Sequence, residues 1–311
     1  MKFDLTSEQR DFAASLEGLL ADAHPTTAAR AWAAGDHGPG LALWRLLTDM
    51  GVPGLLVDDY RVEHVIAMEA LGRHAVPGPW IESAAYLATC PDVSEAIAKG
   101  TVATVAVPPH TPYALDADAA ELVFDASLNP AEVGDRVTSV DPVRRLFRIS
   151  AAEAGGASAP PTLEAPTAAF DTAVLAAAAQ LLGAGDRMLA DSVTYVQQRT
   201  QFGRPIGSYQ AIKHALADVR IALDFARPLV FAAALHPIEV TNERRRDVSA
   251  AKVAAGDAAY LASRTALQVH GAIGYTQEHD LSLWLLRVRG LLSTWGTAAW
   301  HRARVLELVS R

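Results

Sequence analysis

At 311 residues, half of them apolar, the chain can bury a large core and is long enough for more than one domain. A formal charge of −8 argues against a nucleic-acid partner, and the basic residues are scattered apart from Arg244-Arg245-Arg246, which reads as a solvated helix face. One cysteine, Cys90, excludes an internal disulfide framework and reads as small core filler in a reducing cytoplasm.

The opening Met1-Lys2-Phe3-Asp4-Leu5-Thr6 has no apolar run of a secretory signal, and Val174–Gly185 is too short for a membrane span, so a cytoplasmic protein is expected. Residues 6–98 read as helical. Thr6-Ser7-Glu8-Gln9 predicts a capping box ahead of an apolar face of Phe12, Leu16, Leu19 and Leu20. A second helix carries Leu43, Leu46, Leu47 and Met50 and stops at Gly51-Val52-Pro53-Gly54. A third covers Val62 to Arg73 and ends before Pro77-Gly78-Pro79.

Near Gly100 the texture changes. Strands are predicted at 101–107, 122–124 and, less strongly, 137–140, with Pro, Gly, Ala and Asp breaking up the rest as far as Pro166. Helix returns at about Phe170, in segments near 170–198, 208–234, 243–270 and 295–309. In the second of these, Ile212, Leu216, Val219, Leu223, Ala226 and Val230 recur every three or four residues, a core-packing seam of a helical bundle. There are no internal repeats. The expected division is a helical N-terminal domain over residues 1–99, a small β middle domain over 100–166 and a C-terminal four-helix bundle over 167–311.

Two stretches carry candidate chemistry. In Arg199-Thr200-Gln201-Phe202-Gly203-Arg204-Pro205-Ile206, a helix ends in a guanidinium that can grip two phosphate oxygens. Phe202 offers a ring for a nucleotide, and Gly203 and Pro205 force a turn. The same residue types also suit a plain helix end, with the arginine satisfying the last carbonyls and the phenylalanine buried. In Gln268-Val269-His270-Gly271-Ala272-Ile273-Gly274-Tyr275, two glycines bracket a reversal where a phosphate or ribose can approach the backbone. A histidine beside such a turn, His270 or His279, is more often a hydrogen-bonded structural group than an acid or base.

Taken together, with Gln210 and Leu216-Ala217-Asp218 in phase, these blocks resemble the signatures of the acyl-CoA dehydrogenase family. The likeness extends through Tyr275–Leu281 to Arg287 and on to Gly296-Thr297, and back to Phe3–Gln9 and Glu69-Ala70-Leu71-Gly72-Arg73. It implies that family's fold, mainly α with a small β domain, across essentially the whole chain. It also implies an FAD site to which Arg199 gives the pyrophosphate contact, and Gln201 and Phe202 the ADP contacts. Gln210, Gln268, Gly271 and Ala272 would face the adenosine or ribitol region; family members usually have a second glycine where Ala272 stands.

The family's reaction needs a carboxylate to remove an α-proton, and a flavin to accept the hydride. One family position for that base, before Gly296-Thr297, is Trp295; the other falls on Ala173 or Val174. None of these side chains accepts a proton, which leaves Glu278 or Asp280 as unusual alternatives. The family's Thr-Glu-x-x-x-Gly-Ser and Trp-containing ring-binding strands are missing between 100 and 166, and the acyl-pocket loop is cut to Val57-Asp58-Asp59-Tyr60. The resemblance is to the short subunits of actinobacterial heteromeric α2β2 enzymes of steroid side-chain degradation. It implies no catalytic residue here and an FAD shared with a full-length acyl-CoA dehydrogenase partner. Acyl-CoA would bind mainly on that partner, and an electron-transfer flavoprotein or similar acceptor would take the electrons. A self-sufficient enzyme with an unusual base, and a non-enzymatic scaffold, are the alternatives.

Overall fold

A computed structural model describes residues 4–151 and 167–310. Helix α1 (Ser7–Asp22) opens with the expected capping box: the Thr6 hydroxyl accepts from the Gln9 amide, and the Gln9 side chain accepts from the Thr6 amide. Leu16 and Leu20 are buried. Helices α2 (Pro25–Ala33), α3 (Gly38–Asp49) and α4 (Arg61–Arg73) follow. A π-helical segment, Glu82–Tyr86, and a short helix α5 (Pro91–Ala98) come next. Cys90 is buried, and burial pushes its thiol up to about 11, as suits inert filler.

The strands are short. β1 (Ala103–Val105) pairs in parallel with β3 (Leu122–Phe124). β2 (Ala114–Leu115), β5 (Leu146–Ala151) and β4 (Ala131–Val137) form an antiparallel sheet in the order β2-β5-β4. The strand predicted at 137–140 is corrected: only Val137 belongs to one. Beyond it, the Ser139 hydroxyl accepts from the Asp141 amide and the Asp141 carboxylate from the Val143 amide, a local alternative to ladder pairing. β4 itself is mostly exposed, so its sequence has no buried face to betray it. Asp141 and Arg287 form a buried ion pair at 2.8 Å, tying this region to the helical bundle.

The remainder is helical: α6 (Thr167–Gln198), α7 (Gln210–Ala234), α8 (Asn242–His270), α9 (Leu281–Leu291) and α10 (Ala298–Val309). α9 was not anticipated, although Leu281, Trp284, Val288 and Leu291 line its buried face. The helix expected from 295 begins at Ala298, because Trp295 and Gly296 both have positive φ, 60° and 100°. On α7, Val219, Leu223, Ala226 and Val230 are core as read, while Ile221, Phe225 and Leu229 form an exposed row on its outer side. α6 is long and apolar enough to cross a membrane by length and composition, yet 94% of its most apolar window is buried within this fold. It crosses α4 backbone to backbone: a Cβ at Gly183 would lie 1.8 Å from the Glu69 carbonyl oxygen, and one at Gly72 2.1 Å from that of Gln180. Only glycine fits there.

Candidate functional site

Beyond α6 the backbone continues for one more bond, the Arg199 amide to the Tyr195 carbonyl at 2.9 Å. A two-stranded hairpin follows, β6 (Thr200–Gln201) against β7 (Arg204–Pro205). Its two turn residues, Phe202 and Gly203, have φ of 52° and 77°, the pattern of a type I′ turn. An aromatic residue seldom adopts that backbone. Here Phe202 is also 92% exposed, so the reading of a buried phenylalanine fails. The Arg199 side chain makes no hydrogen bond or ion pair among the described residues, so it does not cap the α6 carbonyls either. Arg204, by contrast, lies over the Tyr209 ring at 4.0 Å and stiffens the hairpin base. Arg199 and Gln201 are exposed beside Phe202, and all three share one protruding element.

The second block caps α8. Gly271 takes φ 63° and ψ −137°, which requires glycine, and a Cβ built on it would meet nothing within 4 Å. Gln268 and Ala272 are exposed on either side of it. Ala272 has no positive φ, so the backbone here does not itself demand the family's second glycine. His270 is buried, and its Nδ1 lies 2.8 Å from the Ala266 carbonyl. Burial lowers its pKa, as expected of a structural imidazole.

Tyr195, one turn before the first block, reaches the second: its ring stacks on that of His270 at 4.3 Å and 25°. Arg30 of α2 secures the far side of the turn, with its guanidinium on the Asp280 carboxylate at 2.8 Å and on the carbonyls of Gln277 and Glu278. Asp280 is thereby engaged, and both it and Glu278 are exposed, which removes the main attraction of either as a base. Gln210 is exposed at the first turn of α7, and no described contact joins it to 268–272. Neither Tyr195 nor Arg30 stands out in the sequence. Tyr195 lies one helical turn before Arg199, which is the signal that could have found it.

The position that the resemblance assigns to the base, Trp295, lies among rings. Trp295 is fully buried, stacked on Tyr86 at 5.5 Å and edge-on to Phe170 at 5.8 Å. Phe170 meets Trp300 at 5.7 Å, and His110 packs on both, at 5.1 Å and 4.5 Å. The Trp295 carbonyl accepts from His301, whose pKa burial pushes down to about 3. Ala173 and Val174 are buried in α6. Two buried carboxylates that no sequence motif marks stand near this cluster. Asp171 is bound to Arg304 at 2.5 Å. Glu82, beside the Trp295 indole, has its pKa raised by burial and partly restored by Arg144, 3.9 Å away, and Arg287. Both are held by arginines within the core.

A model of the acyl-CoA dehydrogenase C-terminal domain matches residues 163–309. Acyl-CoA dehydrogenase IpdE2 of Mycobacterium tuberculosis is 32% identical over 297 residues, 89% of this chain and 89% of that protein. The chain belongs to the acyl-CoA dehydrogenase family. The IpdE2 of Mycolicibacterium smegmatis is 29% identical over 300 residues, 91% of this chain and 93% of that protein. The fold agrees with solved family members. The ChsE4-ChsE5 complex of M. tuberculosis matches with a TM-score of 0.79 at 20% identity, over 100% of this chain and 99% of that one. Butyryl-CoA dehydrogenase of Megasphaera elsdenii matches with a TM-score of 0.78 at 18% identity, over 100% of both chains. A Tcur3481-Tcur3483 steroid acyl-CoA dehydrogenase variant matches with a TM-score of 0.76 at 18% identity, over 97% and 98%. Membership in this family implies FAD-dependent oxidation of acyl-CoA thioesters. The Arg199 guanidinium, unpaired among the described residues, the exposed Phe202 ring and the open backbone at Gly271 fit the nucleotide end of FAD.

Proposed function

We propose that this chain is a β-type subunit of a heteromeric, FAD-dependent acyl-CoA dehydrogenase. It lacks the base and completes a partner's flavin site in an α2β2 assembly. Arg199 would take the pyrophosphate, and Gln201 and Phe202 the ADP part. Gln210, Gln268, Gly271 and Ala272 would take the adenosine or ribitol region. When bound, FAD supplies the hydride acceptor; the α-proton would go to a carboxylate of the partner, where acyl-CoA also binds. An electron-transfer flavoprotein or similar acceptor would reoxidise the enzyme.

The observation that carries this reading is a separation. Phe170, which packs on Trp295, stands near the start of α6, while Arg199 lies just past its end. Along the helix axis that is about 40 Å, beyond the length of an extended dinucleotide. A nucleotide gripped at Arg199 therefore cannot present its ring at this chain's own base position, whatever residue stood there. This separation supports a base supplied by another chain. Two further facts support a heteromer: the chain's likeness to a two-component complex and to a steroid acyl-CoA dehydrogenase built from two named components. The steroid name also favours steroid side-chain CoA esters as substrates.

The test is co-expression with a full-length acyl-CoA dehydrogenase encoded beside it, followed by measurement of mass and flavin content. An α2β2 tetramer with two FAD is expected, and little or no FAD on this chain alone. Four stoichiometric flavins per tetramer would overturn the reading. A yellow isolated chain that turns over acyl-CoA would mark a self-sufficient enzyme, and absence of flavin from every assembly would mark a scaffold.

A further inference from the structure

We infer that Tyr195 is the positioning residue that sets Arg199 against the Gly271 turn, through its stack on His270. The inference rests on the proposed FAD half-site and adds to it a residue that touches no ligand. Arg199 follows α6 one turn after Tyr195, and its amide donates to the Tyr195 carbonyl. Gln268 and Gly271 flank His270 at the end of α8. The cationic arm and the open turn are thus parts of two different helix ends, and the Tyr195–His270 pair is a described side-chain contact between them. His270 is a firm platform: it is buried, and its Nδ1 is anchored on the Ala266 carbonyl. Tyr195 adds a long hydroxyl contact of 3.5 Å to the His270 carbonyl, so the ring face is the larger part of the link.

Helix ends fray, and the last residues of α6 past Val196 are exposed. Buried Val196, against the Gly207 backbone, also holds this turn; without the stack, the Arg199 end would be less tightly placed relative to Gly271. A ligand gripped at both ends would then have to order them on binding, which weakens affinity without removing any ligand contact.

The experiment uses the assembled complex with its flavin removed, FAD titration, and a double-mutant cycle with Arg199→Ala. Tyr195→Leu should weaken FAD binding about three- to tenfold, the scale of one lost ring pair. Tyr195→Phe should stay within about twofold of wild type. Because Tyr195 acts by placing Arg199, Tyr195→Leu should have a clearly smaller effect when Arg199 is already alanine. A residue that merely stabilises the fold would give additive losses and a lower melting temperature, and that result overturns the inference. Unchanged affinity in Tyr195→Leu, where Arg199→Ala does weaken binding, also overturns it but leaves the half-site standing. If Arg199→Ala has no effect either, the half-site itself fails. Should Tyr195→Leu not assemble, Tyr195→Met keeps the volume without the ring; failure of both to assemble marks a structural role and refutes the proposal.

Discussion

Replacing Arg199 by alanine separates a ligand-binding arginine from a helix-capping one. The guanidinium is exposed and makes no hydrogen bond or ion pair among the described residues, so its removal should change stability by no more than about 0.5 kcal/mol. Pyrophosphate is anionic, and a charge-assisted contact to it, possible in fork geometry, is worth roughly 1.5–3 kcal/mol. That corresponds to about a ten- to hundredfold weaker FAD affinity. Arg199→Lys should recover some of the loss, because an ammonium keeps the charge and loses the fork. The assay is FAD titration into the flavin-free complex of each variant, with melting temperature recorded in parallel. Normal FAD affinity in a correctly assembled Arg199→Ala complex would refute the role of this residue and undercut the half-site with it. A lower melting temperature with unchanged affinity would return Arg199 to the capping role.

Trp295→Glu should not create dehydrogenase activity in this chain alone, since it places a carboxylate among buried rings beside Glu82. It should also cost about 3–5 kcal/mol of stability, read as a lower denaturation midpoint; appreciable turnover by the isolated variant would refute this. Gly183→Ala should lose about 1–3 kcal/mol or more in thermal unfolding, because its methyl would meet the Glu69 carbonyl at 1.8 Å. His64 is buried, and burial pushes its pKa down to about 4, so the folded state favours the neutral ring. Its contribution is complete above the unfolded pKa of about 6.5 and is lost as pH falls toward 4, in all about 3 kcal/mol. His64→Gln should therefore lose less stability than wild type across that window. Glu69 and Asp116, both pushed up to about 7 by burial, act in the opposite direction in both proteins and cancel in the comparison.

The helices were legible because periodicity and caps report burial directly. Thr6 and Gln9 cap α1 as read, and Val219, Leu223, Ala226 and Val230 pack as read. β4 was not legible because a strand exposed along most of its length carries no alternation, and α9 was missed although its apolar spacing was there to count. At the site, the motif residues could be named from sequence, but not how they are presented. The left-handed turn at Phe202 and its full exposure are tertiary facts. The stack of Tyr195 on His270 joins residues 75 apart, and Arg30 reaches 250 residues along the chain to Asp280. No local pattern encodes such pairs.

The same geometry separates Trp295, the proposed base position, from the proposed grip. Trp295 adopts a left-handed backbone, a cost of about 1–3 kcal/mol that persists only where the surroundings enforce it. They do: Tyr86 and Phe170 cover the indole, and His301 holds the Trp295 carbonyl. Replacing the indole with a small polar side chain would leave Tyr86, Phe170 and Trp300 around it still in place. The hairpin at the far end of α6 feels none of this, because its shape depends on the Phe202-Gly203 turn, the Arg204–Tyr209 contact and the Tyr195–His270 stack. The proposed loss of chemistry at one end of α6 and the proposed nucleotide grip at the other are thus structurally independent. In the proposed assembly the second chain brings the ring and the base to that surface.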